Sequence, residues 1–212
     1  VTEWAGWSFA DKDWWAAATG DQRRSEFTKA SGTIAIADGD EWDDQPHAEG
    51  YLDPFLSWPV NIAGAAAGSL ELLFDSSWRP EYDSNYHQTA NITVSFDGGE
   101  AIEVMRWESD SNSPNFHDHN TNESVAVALN NPAGASSMVV TFGYFDAGND
   151  WWWAIDNVQI AAGGGSGIAI SADGGQIAIT WESGALQTAP AVTGPWTPVD
   201  GASSPYTVDA SQ

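Results

Sequence analysis

The residues best suited to chemistry in this chain are carboxylates, and they cluster. The segment "DGDEWDDQPHAE" (38–49) puts Asp38, Asp40, Asp44 and Glu49 at positions one, three, seven and twelve of a loop. Carboxylates at this spacing can enclose Ca²⁺, which takes about six to eight oxygen ligands. Asp43 stands where an EF-hand loop needs glycine and no flanking helices are evident, so an EF-hand is excluded. A different calcium loop and a solvated acidic loop both stay open. A second carboxylate stands out by its surroundings. In "NDWWWAIDNVQI" (149–160), Asp156 follows three consecutive tryptophans inside an apolar run.

Other constellations carry less. His117 and His119 in "HDH" share one face of an extended chain, as a transition-metal pair would. They sit in a Ser/Asn/Pro-rich stretch, however, and read as a surface loop. In "DSSWRP" (75–80), Arg79 stands beside Trp78 and near Asp75, which fits either a stacked binding groove or a structural ion pair. No G-x-S-x-G elbow is present, since "GGGSG" is linker. With thirty acids, any two could converge as a glycosidase pair, so that idea singles out nothing. No catalytic residue is assigned, and the chain reads as a non-enzyme.

The charge balance narrows the partners. Among 212 residues, six basic side chains face thirty acidic ones, a net charge of −24, and no Lys or Arg follows Arg106. Such a chain repels phosphate backbones and anionic lipid, which makes nucleic acid and membrane surfaces poor partners; a divalent cation fits better, and acidity that only keeps the protein soluble is the equal alternative. Cysteine is absent, so disulfides and thiolate zinc sites are excluded. The longest apolar stretches are far shorter than a membrane span. Val1 is expected to follow a cut, natural or experimental.

Positioning these groups falls to strands. "GTIAIAD" (32–38), "GSLELLFDSSW" (68–78), "ANITVSFDGGEAIEVMRW" (90–107), "ESVAVALN" (123–130) and "SSMVVTFGYFD" (136–146) alternate with period two. Asp97-Gly98-Gly99 divides two such runs as a hairpin turn does. Only "DWWAAATGDQRRSEFT" (13–28) can hold a helical turn. Many short strands with few helices indicate an all-β sandwich or barrel. "AAGGGSG" has linker composition, giving a first domain at 1–162, a linker at 163–167 and a small β unit at 168–212.

On a strand, Trp151, Trp153 and Ile155 share one face while Trp152, Ala154 and Asp156 share the other. Continued alternation would set Val158 and Ile160 with Asp156, so the apolar face changes sides near Asp156–Asn157, as a bulge or break there would cause. At least one of Trp151, Trp152 and Trp153 is then expected to face outward or cover an edge, as a platform for a sugar ring or protein partner or simply as packing.

The order "IAIADGDEW", "FLSWPVNIAG", "SLELLFDSSW", "ANITVSFDGGE", "WWWAIDNVQI" resembles the cleaved-adhesin or choice-of-anchor (MAM-like) domain of secreted bacterial multidomain proteins, over about residues 4 to 160. The resemblance implies a two-sheet jelly-roll sandwich, here followed by a small β appendage. It also implies structural Ca²⁺ and an extracellular role in adhesion or in glycan or protein binding. It places Asp38, Asp40 and Asp156 together at the calcium, with Glu3 the available acid near an opening strand that the chain lacks. Trp151, Trp152, Trp153, Trp78 and Arg79 are the expected binding residues, and Ile155, Val158 and Ile160 an edge for assembly. The expected partners are a polysaccharide, a surface protein, or other copies joined by strand addition. A structural subunit of an extracellular filament is the alternative function, and an accessory part of a secreted hydrolase the second.

Overall fold

The computed structural model describes residues 4–82, 87–162, 169–173, 176–181, 184–191 and 193–209. The chain divides into two compact units, Val1–Ala161 and Ala162–Gln212. The stretch expected as a linker (163–167) and Glu3 lie outside the described residues.

In the first unit, β1 (Ser8–Asp11) runs into helix α1 (Lys12–Ala18), capped by the Asp11 carboxylate, which accepts from the amides of Asp13 and Trp14 at 3.0 Å. A 3₁₀ turn (Arg24–Glu26) precedes β2 (Thr33–Asp38), and a short helix α2 (Gly39–Asp43) follows it directly. The remaining strands are β3 (Phe55–Asn61), β4 (Leu70–Arg79), β5 (Thr89–Phe96), β6 (Ile102–Glu108), β7 (Asn120–Ala128), β8 (Ser137–Phe145) and β9 (Trp152–Ala162). Between β5 and β6, Asp97 (φ 50°) and Gly98 (φ 75°) are both left-handed at the centre of a turn in which the Gly99 amide donates to the Phe96 carbonyl at 2.8 Å.

The strands form a five-stranded sheet in the order β1-β2-β9-β4-β7 and a four-stranded sheet in the order β3-β8-β5-β6. From β2 onward, successive strands alternate between the two sheets except for the β5–β6 hairpin, the connectivity of a jelly roll. β1 and β3 were not evident as strands in the sequence. β3 contains Pro59, which is tolerated because β3 is an edge.

Two cores result. Between the sheets, Leu72, Phe74, Trp78, Trp153 and Ile155 meet Ile92, Val94, Val140, Phe142 and Tyr144. Phe142 sits at the centre, 5.3 Å from the Phe74 ring and 5.4 Å from the Trp153 ring. A second core lies under α1 on the outer face of the five-stranded sheet, made of Trp15, Phe27, Ile34, Ile36, Trp152 and Ala154. β9 is therefore buried on both faces over residues 152–155, which explains adjacent tryptophans.

The second unit pairs β10 (Ala169–Asp173), β11 (Gln176–Thr180) and β14 (Tyr206–Asp209) in one antiparallel sheet and β12 (Gln187–Thr188) with β13 (Thr197–Pro198) in another. No helix among the described residues is long and apolar enough to cross a membrane.

The β2–α2 junction is a close backbone approach. A Cβ on Gly39 would lie 2.9 Å from the carbonyl oxygens of Gly148 and Asp150 and 3.1 Å from the Tyr144 hydroxyl. Gly39→Ala should therefore destabilise the protein by about 1–3 kcal/mol, the cost of overpacking. Urea unfolding followed by tryptophan fluorescence measures it.

Candidate functional site: an open strand edge beside a buried arginine

The acidic loop closes on a guanidinium. Asp38 is fully buried, and its carboxylate accepts from Arg24 Nε at 3.2 Å, Arg24 Nη2 at 3.0 and 3.1 Å, and Trp15 Nε1 at 2.9 Å. Its Oδ1 also caps α2 by accepting from the Glu41 amide at 3.2 Å. Arg24 Nη2 reaches Asp40 at 3.1 Å and Glu41 at 3.6 Å. The guanidinium is itself fully buried, 4.3 Å from the centre of the Trp152 ring. Asp38 and Asp40 thus come together, but on an arginine.

Asp156 is elsewhere. The β2–β9 ladder pairs Asp38 with Trp152 and ends with Ala35 opposite Ile155. Four residues separate Trp152 from Asp156, about 13 Å at ~3.3 Å per residue. The Asp156 carboxylate accepts from the Ser31 amide at 3.0 Å and the Asn157 amide at 2.7 Å. Calcium bound jointly by Asp38, Asp40 and Asp156 does not fit this arrangement. Both oxygens of Asp38 are already committed to donors, and among the described residues no group of three or more His, Asp or Glu side chains is placed to hold a metal.

The tryptophans also need correction. Trp152, Trp153 and Trp78 are completely buried and offer no platform. Their indole N–H groups are satisfied internally: Trp152 donates to Ser77 Oγ at 3.0 Å, Trp153 to Ser76 Oγ at 3.2 Å, and Trp78 to the His117 carbonyl at 3.0 Å. A register shift in β4 between Ser76 and Trp78 accompanies the two adjacent serines. Trp151 is partly exposed, and the Arg79 guanidinium lies 3.3 Å from its ring centre. Arg79 therefore stacks on Trp151 instead of Trp78, and it donates to the Gln22 carbonyl instead of pairing with Asp75. Burial, then the charges of Arg24 and Arg23, pull its pKa down. His117 stacks on Trp107 at 3.8 Å and meets Glu123 at 2.7 Å, so "HDH" is not a metal pair.

What β9 does after Ile155 makes the site. Asn157 adopts φ 53°, a left-handed kink that shifts the alternation by one residue. Beyond it Ile160 packs toward the main core while Val158 stays 36% exposed. β2 has ended its ladder, and among the described residues no strand accompanies residues 158–162 on that side. A groove of about 390 Å³ opens here, bounded by Phe9 of β1, Ile34 of β2, Leu56 and Trp58 of β3, and Ile155, Val158 and Ile160 of β9. Asp156 is its one titratable lining residue. Phe9 is 57% exposed.

Charge around Arg24 is unbalanced, with three carboxylates on one guanidinium. Burial first, then the Asp38 charge, push the Glu41 carboxyl up to about 7 from 4.5, despite Arg24 at 3.6 Å. Arg24 is already shared by two other acids, so its pull on Glu41 is the weaker effect. Burial likewise raises Asp38, against the pull of Arg24 and Trp15. A carboxyl that holds its proton more tightly folded than unfolded makes stability fall as pH rises between those values. Melting temperature should therefore drop as pH rises from 4.5 to about 7, and Glu41→Gln should flatten that slope. Arg24→Met, which strands Asp38, should cost about 3–5 kcal/mol in denaturant unfolding at neutral pH.

No protein-family profile matches this chain, and no curated protein matches it. Among solved structures, the chain is similar to TmCBM61 in complex with β-1,4-galactotriose, with 14% identity, TM-score 0.40, covering 76% of this chain and 90% of that one. It is similar to the K1 cleaved adhesin domain of Lys-gingipain from Porphyromonas gingivalis W83, with 19% identity, TM-score 0.37, covering 74% and 91%. It is also similar to the enzymatically active domain of the bacteriophage CBA120 tailspike protein 4, with 13% identity, TM-score 0.35, covering 63% of this chain and 16% of that one.

Proposed function

We propose that the protein is a non-catalytic extracellular recognition module whose groove receives an extended segment of another polypeptide along β9. The observation that carries this reading is the unequal length of neighbouring strands: β2 stops pairing at Ile155, while β9 runs on to Ala162. An added strand would complete the hydrogen bonding of residues 158–162 and send alternate side chains into the groove. The lining suits apolar side chains, since aliphatic and aromatic residues surround a single carboxylate.

Charge selects the partner. The chain carries −24, and no Lys or Arg follows Arg106. A basic segment is drawn to this chain and a neutral one meets no barrier, whereas a second copy brings another −24 and is repelled until salt screens it. Lysine, a common guard against unwanted pairing, is absent from β9.

Selection from a display library of random decapeptides tests the reading. Enriched peptides should carry alternating apolar residues and net positive charge, and should slow amide exchange at residues 158–162. Val158→Lys changes a partly exposed position. It should weaken such peptides at least about tenfold, or 1.4 kcal/mol, while leaving the melting temperature in place. Self-association that grows with protein concentration and salt would give the edge to a second copy. A monomer with rapidly exchanging amides and no enriched peptide would remove the edge from the account.

A further inference from the structure

A second cleft, of about 430 Å³, lies beyond the C-terminal end of α2, lined by Trp4, Trp42, Gln45, Pro46 and His47 with flanking alanines. Its rings are fixed by stacking. Trp14 lies parallel to Trp4, with centroids 6.3 Å apart and planes 15° apart, so one face of Trp4 is supported. Trp42 is buried, and the His47 ring stacks on it at 3.7 Å. His47 is held in turn through Nδ1, 2.7 Å from the Ala48 carbonyl oxygen, and Nε2, 3.4 Å from Asp43 Oδ1. The Gln45 backbone amide donates to the Trp42 carbonyl at 3.2 Å, which fixes where its side chain leaves the chain. The Gln45 side chain is exposed, and among the described residues its amide makes no hydrogen bond within the protein.

We propose that this cleft binds a neutral saccharide unit. A supported indole face takes the apolar C–H face of a pyranose, and a free planar amide supplies a donor and an acceptor for its hydroxyls. The volume falls within the range of small-molecule sites, about 300–1,000 Å³. Charge sets the class. Asp43 at the end of α2 and Asp44 and Glu49 in the loop that follows belong to a chain at −24, so uronate, sulfated and phosphorylated sugars are repelled while neutral ones are not. The cleft shares no lining residue with the β9 groove, so it stands or falls separately from strand recognition.

Titration of the whole protein with cellotetraose, xylotetraose and mannotetraose, with tetragalacturonate as the acidic counterpart, tests the assignment. The readouts are calorimetry and the tryptophan indole resonances. At least one neutral tetrasaccharide should bind and shift the Trp4 indole signal, and tetragalacturonate should not. Gln45→Ala alters an exposed side chain, and Trp4→Ala removes the platform; each should weaken binding at least about tenfold. Val158→Lys should leave sugar binding unchanged. Absence of any Trp4 shift with the three neutral sugars, or equal binding of tetragalacturonate, overturns the proposal. Capture of a proline-rich decapeptide with no sugar response would also overturn it, assigning the cleft to polypeptide.

Discussion

Arg24 is the residue on which the outer half of this fold depends. A guanidinium removed from water is tolerable only if its charge and its N–H groups are met on every side. Here Asp38 meets it with both oxygens and Asp40 with one, and the face of Trp152 lies against it. Those partners come from the end of β2 with the start of α2 that directly follows it, and from the start of β9, far along the chain. Asp21, Gln22 and Arg23 are all left-handed, at φ 65°, 47° and 82°, a run that non-glycine residues seldom adopt. That run turns the chain so that Arg24 points inward, while Gln22 uses its side-chain oxygen on Arg24 and its carbonyl on Arg79. The strain is local, and the ion pair it permits orders the whole cover over the five-stranded sheet.

This arrangement fixes the fate of β9. Where the cover is present, both faces of the strand are buried, and Trp152 and Trp153 back onto Ser77 and Ser76. Where the cover ends, at Ser31 and Asp156, the strand kinks at Asn157 and its edge is left open. A single strand thus changes from doubly buried core to unpaired edge within six residues. The groove follows from this change in layer number, since a two-layer sandwich cannot close over a strand whose third layer has stopped.

Much of the architecture was legible in the sequence. Period-two runs marked β2, β4, β5, β6, β7 and β8, and Asp97-Gly98 marked a turn, because alternation and left-handed turn residues are local properties. The reversal at Asp156–Asn157 was legible for the same reason. Burial of both Trp152 and Trp153 was not, since a strand covered on two faces presents an apolar run with no indication of what covers it. The carboxylates at 38 and 40 looked like ligands for a metal because their counter-ion sits fourteen residues earlier, behind a turn that no simple pattern announces. The Trp4–Trp42 cleft was hidden by distance along the chain, and its signals, an isolated Trp and a Gln-Pro-His stretch, are ordinary when taken singly.

The same economy of cations bears on what the surface can bind. Of six basic residues, Arg24 is fully enclosed, Arg79 stacks on Trp151, and Arg106 is shared between Glu103 and Glu108. Lys12 and Arg23 each lie against a neighbouring carboxylate. Nearly all the positive charge is therefore spent inside the protein's own network, and the carboxylates left over define the long-range field. In such a field, affinity for anything anionic would have to be built from local contacts against a uniform repulsion, whereas neutral and basic partners meet no such barrier. An apolar strand edge and an aromatic cleft are two kinds of surface that work without charge of their own, and this sandwich leaves both open among its described residues.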